Sequence, residues 1–388
     1  MSRGASKSGG FSDMLRSLEE KESRKLERKV PSWAGVAVEV PQAINFQQCS
    51  GEVAARYKAA VAAGCFGGPL GASGAAGLSS SVGLVDSAGL FGSAGLRVAD
   101  LTGGLGVDSW AFSLEASAVW YNEKDAVLRD AVRRNFAALG VSNVAFNGFD
   151  ISPDASSWQE VLRDFAPDVI YLDPARRDAA GRKVFLLEDC SPDVLTLLPS
   201  LLSLAPVVMV KVSPMADITM LRRRLADYLA SIHVVGADSE CKELLCLCRR
   251  DASFYGITLF EDGYVYQQSD SFSAAKESDE FLFVPSAAMV KAGMGPGMCL
   301  MPFSEPLSHF GRFWQVIENL PFAASEIKTL RRRYPQADVT ARGVPITSDQ
   351  LRSKLHVTSG GPVHIFACTL ASSRRLLICT PYNPPIVP

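Results

Sequence analysis

Apolar and polar positions along the 388-residue chain fall into three stretches. From Leu96 to about Asp251, short apolar runs alternate with amphipathic ones, which predicts strands and helices in alternation and hence a parallel, doubly wound sheet. LRVADL (96–101), SAVWYNE (117–123), VAFNGFD (144–150), DVIYLD (168–173) and VVMVKVS (207–213) read as five successive strands. Helices are expected between them: VDSWAFSLEA, Ser156 to Phe165, the Leu-rich Val194 to Leu204, and a segment spaced by Ile218, Leu221, Leu225 and Leu229. The clearest helix has Asp125 as its cap, Leu128, Val132, Phe136 and Leu139 on one face, and Gly140 at its stop. SIHVVGADS and ELLCLCRR close the sheet.

The flanks differ. Residues 1 to about 30 read as a loose tail leading into a charged helix, and Trp33 to Lys58 has helix-like spacing, so a helical cap precedes the sheet. Gly64 to Leu96 is rich in Gly, Ala and Ser, with Gly-Leu recurring at 83, 89 and 95. So few copies make no repeat architecture, and small residues bury too little apolar surface to offset ordering entropy. A flexible insertion is expected, with a glycine-rich lid as the alternative. Beyond Asp251 the alternation stops, and ITLFEDGYVYQQ reads as a hairpin turning at Asp262-Gly263. The expected division is a cap (1–63), an insertion (64–95), an α/β sheet domain (96–252) and a smaller α+β domain (253–388).

Composition narrows the class. With 47% hydrophobic and 21% charged residues and a net charge of -2, the chain is globular rather than disordered or fibrous. Nine cysteines without a C-x-x-C pair imply reduced, mostly buried thiols, and His233, His309, His356 and His364 lack ligand spacing, so no metal is expected. The first residues contain no apolar leader, and the run Leu197 to Val210 is broken by Pro199 and Pro206, short of the ~20 residues a span requires. A cytoplasmic protein without a membrane partner is expected. Charge is unevenly placed: residues 281–388 hold 11 Lys+Arg against 5 Asp+Glu, and residues 1–280 hold 28 against 36. A basic C-terminal part suits an anionic partner or a solvated surface.

The candidate chemistry starts at Asp100-Leu-Thr-Gly-Gly-Leu-Gly-Val-Asp108, between the first strand and its helix. Glycines at a strand's carboxyl end let a ligand approach the backbone, which marks Thr102, Gly103, Gly104 and Gly106 as a cofactor loop. Ser109 stands where a dinucleotide fingerprint needs its third small residue, and no Gly-Lys-Ser/Thr is present. An acid followed by glycines four and six residues later is similar to the loop of class I S-adenosylmethionine-dependent methyltransferases. Glu123, ending the second strand, can accept hydrogen bonds from both ribose hydroxyls, and Asp150, ending the third, from an adenine amino group. Asp173 ends the fourth strand, next to Pro174, where substrate and cofactor would meet. Arg176 and Arg177 offer donor forks for phosphate or carboxylate. Lys211 is either a substrate contact or a buried ion-pair partner. No cysteine lies in these motifs, so direct in-line transfer is expected rather than covalent catalysis.

Seven further segments carry a resemblance: QQCSGEVAARYK (47–58), YLDPARRD, LEDCSPDV, KVSPMADI, SECKELL (239–245), ARGVP with LRSKL, and GGPVHIFACT. With the glycine loop they resemble methyltransferase-like proteins that have a THUMP-like C-terminal domain, over about residues 43 to 370. The resemblance implies a Rossmann-like methyltransferase sheet, S-adenosylmethionine as cofactor, and a C-terminal module related to RNA-binding domains. It places the cofactor loop at Asp100 to Gly106, the ribose acid at Glu123, the adenine-side acid at Asp150, and the strand-four motif at Asp173 to Arg177. Enzymes that methylate exocyclic amines usually carry Asp/Asn-Pro-Pro-Tyr/Phe, whereas Ala175 and Arg176 occupy the last two places here. Methyl transfer to RNA is expected, with Asp173 orienting the acceptor or taking its proton and Arg331, Arg332, Arg333, Arg342, Arg352 and Lys354 holding phosphates. The alternatives are a silent scaffold that binds RNA, and a protein or small-molecule methyltransferase.

Overall fold

The computed structural model describes residues 25–64, 95–153, 157–175, 190–266, 281–370 and 372–382. They form two compact units: the first runs to Ala237 and includes Lys242–Thr258, and the second comprises Asp238–Cys241 and the chain from Leu259 onward.

The first unit begins with α1 (Ala43–Gln48) and α2 (Glu52–Gly64). The alternation follows: β1 (Arg97–Asp100), α3 (Val107–Glu115), β2 (Ala118–Asn122), α4 (Ala126–Ala138), β3 (Val144–Asn147), α5 (Ser157–Phe165), β4 (Val169–Leu172), α6 (Val194–Leu204), β5 (Val207–Val212), α7 (Ile218–Arg224), β6 (Leu229–Ala237) and β7 (Glu240–Cys248). Their order is β3-β2-β1-β4-β5-β7-β6. The first five strands pair in parallel, and β7 runs antiparallel to β5. Every residue of β4 is buried, as expected of a strand with helices over both faces. The order reverses between β1 and β4, the place where open α/β sheets bind ligands at strand carboxyl ends.

Local signals explain the helices. The Asp125 carboxylate accepts from the Val127 and Leu128 amides, and Leu128, Val132 and Phe136 join the core. Gly140 leaves the helix at φ +73°. Asp193 caps α6 in the same way, and Asp217 caps α7. Ala55, Ala59 and Ala62 of α2 share a core with Trp110 and Phe112 of α3, and the Trp33 ring meets Trp110 edge-on at 5.8 Å.

The helical stretch expected over Trp33–Lys58 forms in separate pieces. Pro31–Trp33 is a short 3-10 turn, and α1 and α2 are separated at Cys49-Ser50-Gly51, where Cys49 turns extended at ψ 156°. The break has a physical cause: the buried Ser50 hydroxyl donates to Asp108 at 2.9 Å, a contact made from the extended segment between the helices. The Gly/Ala/Ser-rich insertion, at 65–94, lies outside the described residues, as do Arg176 and Arg177.

The chain passes to the second unit within β8 (Gly256–Glu261), which forms the expected hairpin with β9 (Tyr264–Tyr266). Asp262 and Gly263 both have positive φ, 47° and 95°, as a two-residue hairpin turn requires. Then come β10 (Phe281–Pro285), α8 (Ala287–Ala292), β11 (Cys299–Met301), α9 (Glu305–Ser308), β12 (Gly311–Pro321), α10 (Ala324–Arg333), β13 (Asp338–Arg342), α11 (Ser348–Leu355), β14 (His364–Leu370) and β15 (Ser373–Pro381). The sheet order β11-β10-β12-β15-β14-β13 contains one parallel pair, β13 with β14. Leu330 of α10 and Leu351 and Leu355 of α11 pack on the face formed by Ile365, Ala367, Leu376 and Ile378. Phe366, Cys368, Leu377 and Cys379 lie in a separate cluster with Leu282 and Leu300. Among the described residues, no helix is long and apolar enough to cross a membrane.

Candidate active site

The glycine loop is fixed by its glycines and by Asp100. A Cβ on Gly103 would enter the Tyr121 ring, and one on Gly106 would lie 2.8 Å from Val132 Cγ1, at a backbone φ of +84°. On Gly104 it would meet nothing closer than 3.9 Å, so the loop is tight toward the protein and open on its other side. Asp100 is 1% exposed and accepts from the Thr102 amide at 3.1 Å and the Ser109 hydroxyl at 2.5 Å. Ser109, where a dinucleotide loop would have a small residue, instead closes the turn from inside. Burial raises the Asp100 pKa to about 7, against the lowering effect of the Ser109 hydrogen bond and with a further rise from the nearby Asp108. Asp100 therefore shapes the loop from inside it.

The other acids stand at successive strand ends. Glu123 Oε2 accepts from the Gly104 amide at 3.1 Å and Oε1 from the Asp125 amide at 2.9 Å. A carboxylate has about four acceptor positions, so two remain for hydroxyl groups. Asn122, not anticipated, binds β1 to the segment after β3: its amide donates to the carbonyls of Leu101 and Phe149 and its oxygen accepts from the Phe149 amide at 2.8 Å. The Asp150 side chain is 76% exposed, with Lys124 at 3.4 Å. The Asp173 amide donates to Thr102 Oγ1 at 2.6 Å, which ties the end of β4 to the loop after β1. Pro174 follows and is buried.

Behind Asp173 lies a charged network that the strand-end reasoning did not include. Lys211 Nζ is 2.7 Å from Asp173 Oδ2, 3.3 Å from Ser50 Oγ and 3.6 Å from Glu243 Oε2. Of its two expected roles, the ion pair is the one observed. Lys58, with no exposed surface, reaches Glu243 Oε1 at 2.7 Å, Ser50 Oγ at 2.8 Å and Asp108 Oδ1 at 2.9 Å. Asp108 Oδ2 accepts from Ser50 and from the Tyr171 hydroxyl, each at 2.9 Å. Burial works to raise the Asp108 pKa, but Lys58 and Lys211 outweigh it and hold the carboxyl below its ordinary value. For Lys211 burial works downward and is outweighed by Asp173, Glu243 and Asp108, so its pKa is raised and it stays protonated. Ser50 and Lys58 belong to QQCSGEVAARYK, Tyr171 and Asp173 to YLDPARRD, Lys211 to KVSPMADI and Glu243 to SECKELL: the resembling segments converge on one cluster. Cys49, beside it, donates its thiol to the Phe46 carbonyl at 3.2 Å, and burial pushes its pKa up despite Lys29, so it is no thiolate nucleophile.

In the second unit the expected basic patch is divided by its partners. Arg333 is held at 2.8 and 2.6 Å by both oxygens of Glu318, which also accepts from Tyr334, and Arg352 pairs with Asp349 at 3.0 Å. Arg331, Arg332, Arg342 and Lys354 are exposed, without an acidic partner among the described residues.

Residues 311–381, spanning β12 to β15, match the THUMP domain-like family. The crystal structure of a candidate methyltransferase from Porphyromonas gingivalis W83 superposes over 94% of this chain and 89% of its own, with a TM-score of 0.71 and 25% identity. A candidate RNA methyltransferase from Pyrococcus horikoshii covers 56% of this chain and 96% of its own, at a TM-score of 0.35 and 13% identity. An rRNA methylase from Streptococcus thermophilus covers 40% and 87%, at 0.28 and 11%. Comparison with curated proteins by sequence finds no match. The first unit has the class I methyltransferase fold. The whole chain is methyltransferase-like, with a C-terminal THUMP-like domain.

Proposed function

We propose that the protein is an S-adenosylmethionine-dependent methyltransferase acting on RNA. The observation that carries this reading is the glycine loop at the reversal point of the sheet, open beside Gly104 and flanked by the strand-end acids Glu123 and Asp173. These residues fit S-adenosylmethionine: Glu123 retains acceptor positions for two ribose hydroxyls, Asp150 is available on the adenine side, and the loop admits close backbone approach. Bound there, the cofactor supplies an activated sulfonium methyl group.

The protein's contribution is alignment. Lys211 occupies Asp173 Oδ2, which leaves Oδ1 to accept a hydrogen bond from an N–H or O–H of the acceptor. For direct transfer, Asp173 Oδ1 would orient the acceptor and take its proton, while the bound cofactor would supply the methyl group. The exposed Arg331, Arg332, Arg342 and Lys354 would hold phosphates, a salt-sensitive contribution to affinity. Pro174, with Arg176 and Arg177, would contact the acceptor nucleotide. The proposed organisation is a cap at 1–63, an insertion at 64–95, the methyltransferase domain at 96–252 and the THUMP-like part at 253–388, in a cytoplasmic protein.

The test is to incubate the protein with methyl-labelled S-adenosylmethionine and either RNA or cell protein. Label in RNA that is lost with Asp173→Ala supports the reading. Label in peptide alone would move the substrate to protein. RNA binding without label in either fraction would favour the silent-scaffold reading, for which Arg176, standing in the sequence where a stacking aromatic would be, is the specific observation.

A further inference from the structure

The network behind Asp173 consists of three carboxylates, Asp108, Glu243 and Asp173, and two ammonium groups, Lys58 and Lys211. Ser50 and Tyr171 join it as neutral hydroxyls. Five charged groups of this composition sum to one negative charge. It is poorly screened, because Asp108 and Glu243 are 8% and 3% exposed and Lys58 not at all. The pairing is also uneven. Lys58 is saturated by Asp108, Glu243 and Ser50, while Lys211 is divided between Asp173 at 2.7 Å and Glu243 at 3.6 Å. Asp173, with 32% of its side chain exposed, is the member that reaches the surface, and its Oδ1 has no partner among the described residues. It is held 2.6 Å from Thr102 of the cofactor loop through its amide. The excess charge is therefore expressed beside the loop.

We propose that this network makes the site select a cationic methyl donor over the neutral thioether that the donor becomes. The inference rests on the methyltransferase reading and adds to it a reason for product release: the attraction that holds the sulfonium disappears when the methyl leaves. Ser50 and Lys58, from the segment before the sheet, are positioning residues in this scheme, since they fix Lys211 and Glu243 and through them Asp173. Among the described residues, the further cation near Ser50, Lys29, is held at the Phe46 carbonyl; Arg176 and Arg177, which follow Asp173, lie outside them. Asp100 lies on the same side and contributes the same sign when ionised, and Arg129 sits at the Glu123 carbonyl, toward the ribose side.

Calorimetric titration with three ligands tests this without a methyl acceptor: S-adenosylmethionine, sinefungin, which carries an amine-bearing carbon in place of the sulfonium, and S-adenosylhomocysteine, which is neutral there. A unit charge in a poorly screened site predicts that both cations bind on the order of tenfold more tightly than S-adenosylhomocysteine. Asp173→Asn keeps the shape, removes the charge, and should bring the ratio close to one by weakening the cations. Equal affinities in the unmodified protein would overturn the proposal, whether or not the variant folds. A ratio unchanged in a variant that keeps its melting transition would overturn it as well. If none of the three ligands binds, the methyltransferase reading falls too, whereas binding without preference removes this inference alone.

Discussion

Replacing Lys58 by methionine keeps most of the side-chain volume in α2 and removes one ammonium group. Asp108 and Glu243, at 2.9 and 2.7 Å from it, then lose their closest cation in a place where both are largely buried. Removing one member of a buried ion pair costs ~3–5 kcal/mol, because the partner's charge stays buried and uncompensated. Since Lys58 serves two carboxylates and Lys211 is 3.6 Å from Glu243, the upper part of that range, about 5 kcal/mol, is expected. Against a total stability of ~5–15 kcal/mol this is a large fraction. At ~2–4 °C per kcal/mol for a unit of this size, the melting transition of the first unit should fall by roughly 10–20 °C in calorimetric scans of the full chain. Asp108→Asn added to Lys58→Met removes one stranded charge and should restore part of the loss. A single-variant shift below ~3 °C, or a double variant that melts lower than the single one, would refute the buried network as described.

Three other outcomes follow from the same geometry. Gly103→Ala drives a methyl into the Tyr121 ring, so S-adenosylhomocysteine binding should be lost by calorimetry and stability should drop by about 1–3 kcal/mol; unchanged binding would contradict the tight loop. Asp100 has its pKa raised from 3.8 to about 7, so between these values it is protonated in the folded chain and ionised in the unfolded one. Its contribution to stability is full below pH ~4 and is lost as the pH rises through ~7, by an upper bound of about 4 kcal/mol, so denaturant titrations of Asp100→Asn should lack this decline; parallel profiles would refute it. Arg331→Glu with Arg332→Glu should weaken RNA binding at low salt and flatten its salt dependence, and Arg333→Glu, which breaks a pair with Glu318, should do so less; equal effects would count against the free pair as the contact.

The elements whose causes are local could be read from the sequence. Helix α4 needs only Asp125, a stripe at Leu128, Val132 and Phe136, and Gly140, all within one segment. The acids at the strand ends follow from where each apolar run stops. The ion network could not be read in this way, because Lys58 and Glu243 are 185 residues apart and a lysine within a helical pattern looks like part of a solvated face. A signal was present in the polar residues of QQCSGEVAARYK and SECKELL, which carry the resemblance although they supply no apolar stripe. The same limit explains the helix expected across Ser50: periodicity tolerates Cys49-Ser50-Gly51, and the contact with Asp108 that sets the break is 58 residues away. Within the Arg331–Arg333 run, composition treats three arginines alike, and only the strand bearing Glu318 separates the third.

The most direct test of the central claim is a titration of the purified chain with S-adenosylhomocysteine, which needs no knowledge of the acceptor. Saturable one-to-one binding that disappears in Glu123→Ala is the predicted result, because Glu123 braces the Gly104 amide and retains acceptor positions for the ribose. No heat of binding at high protein concentration, or binding that Glu123→Ala leaves intact, would contradict the cofactor site described here.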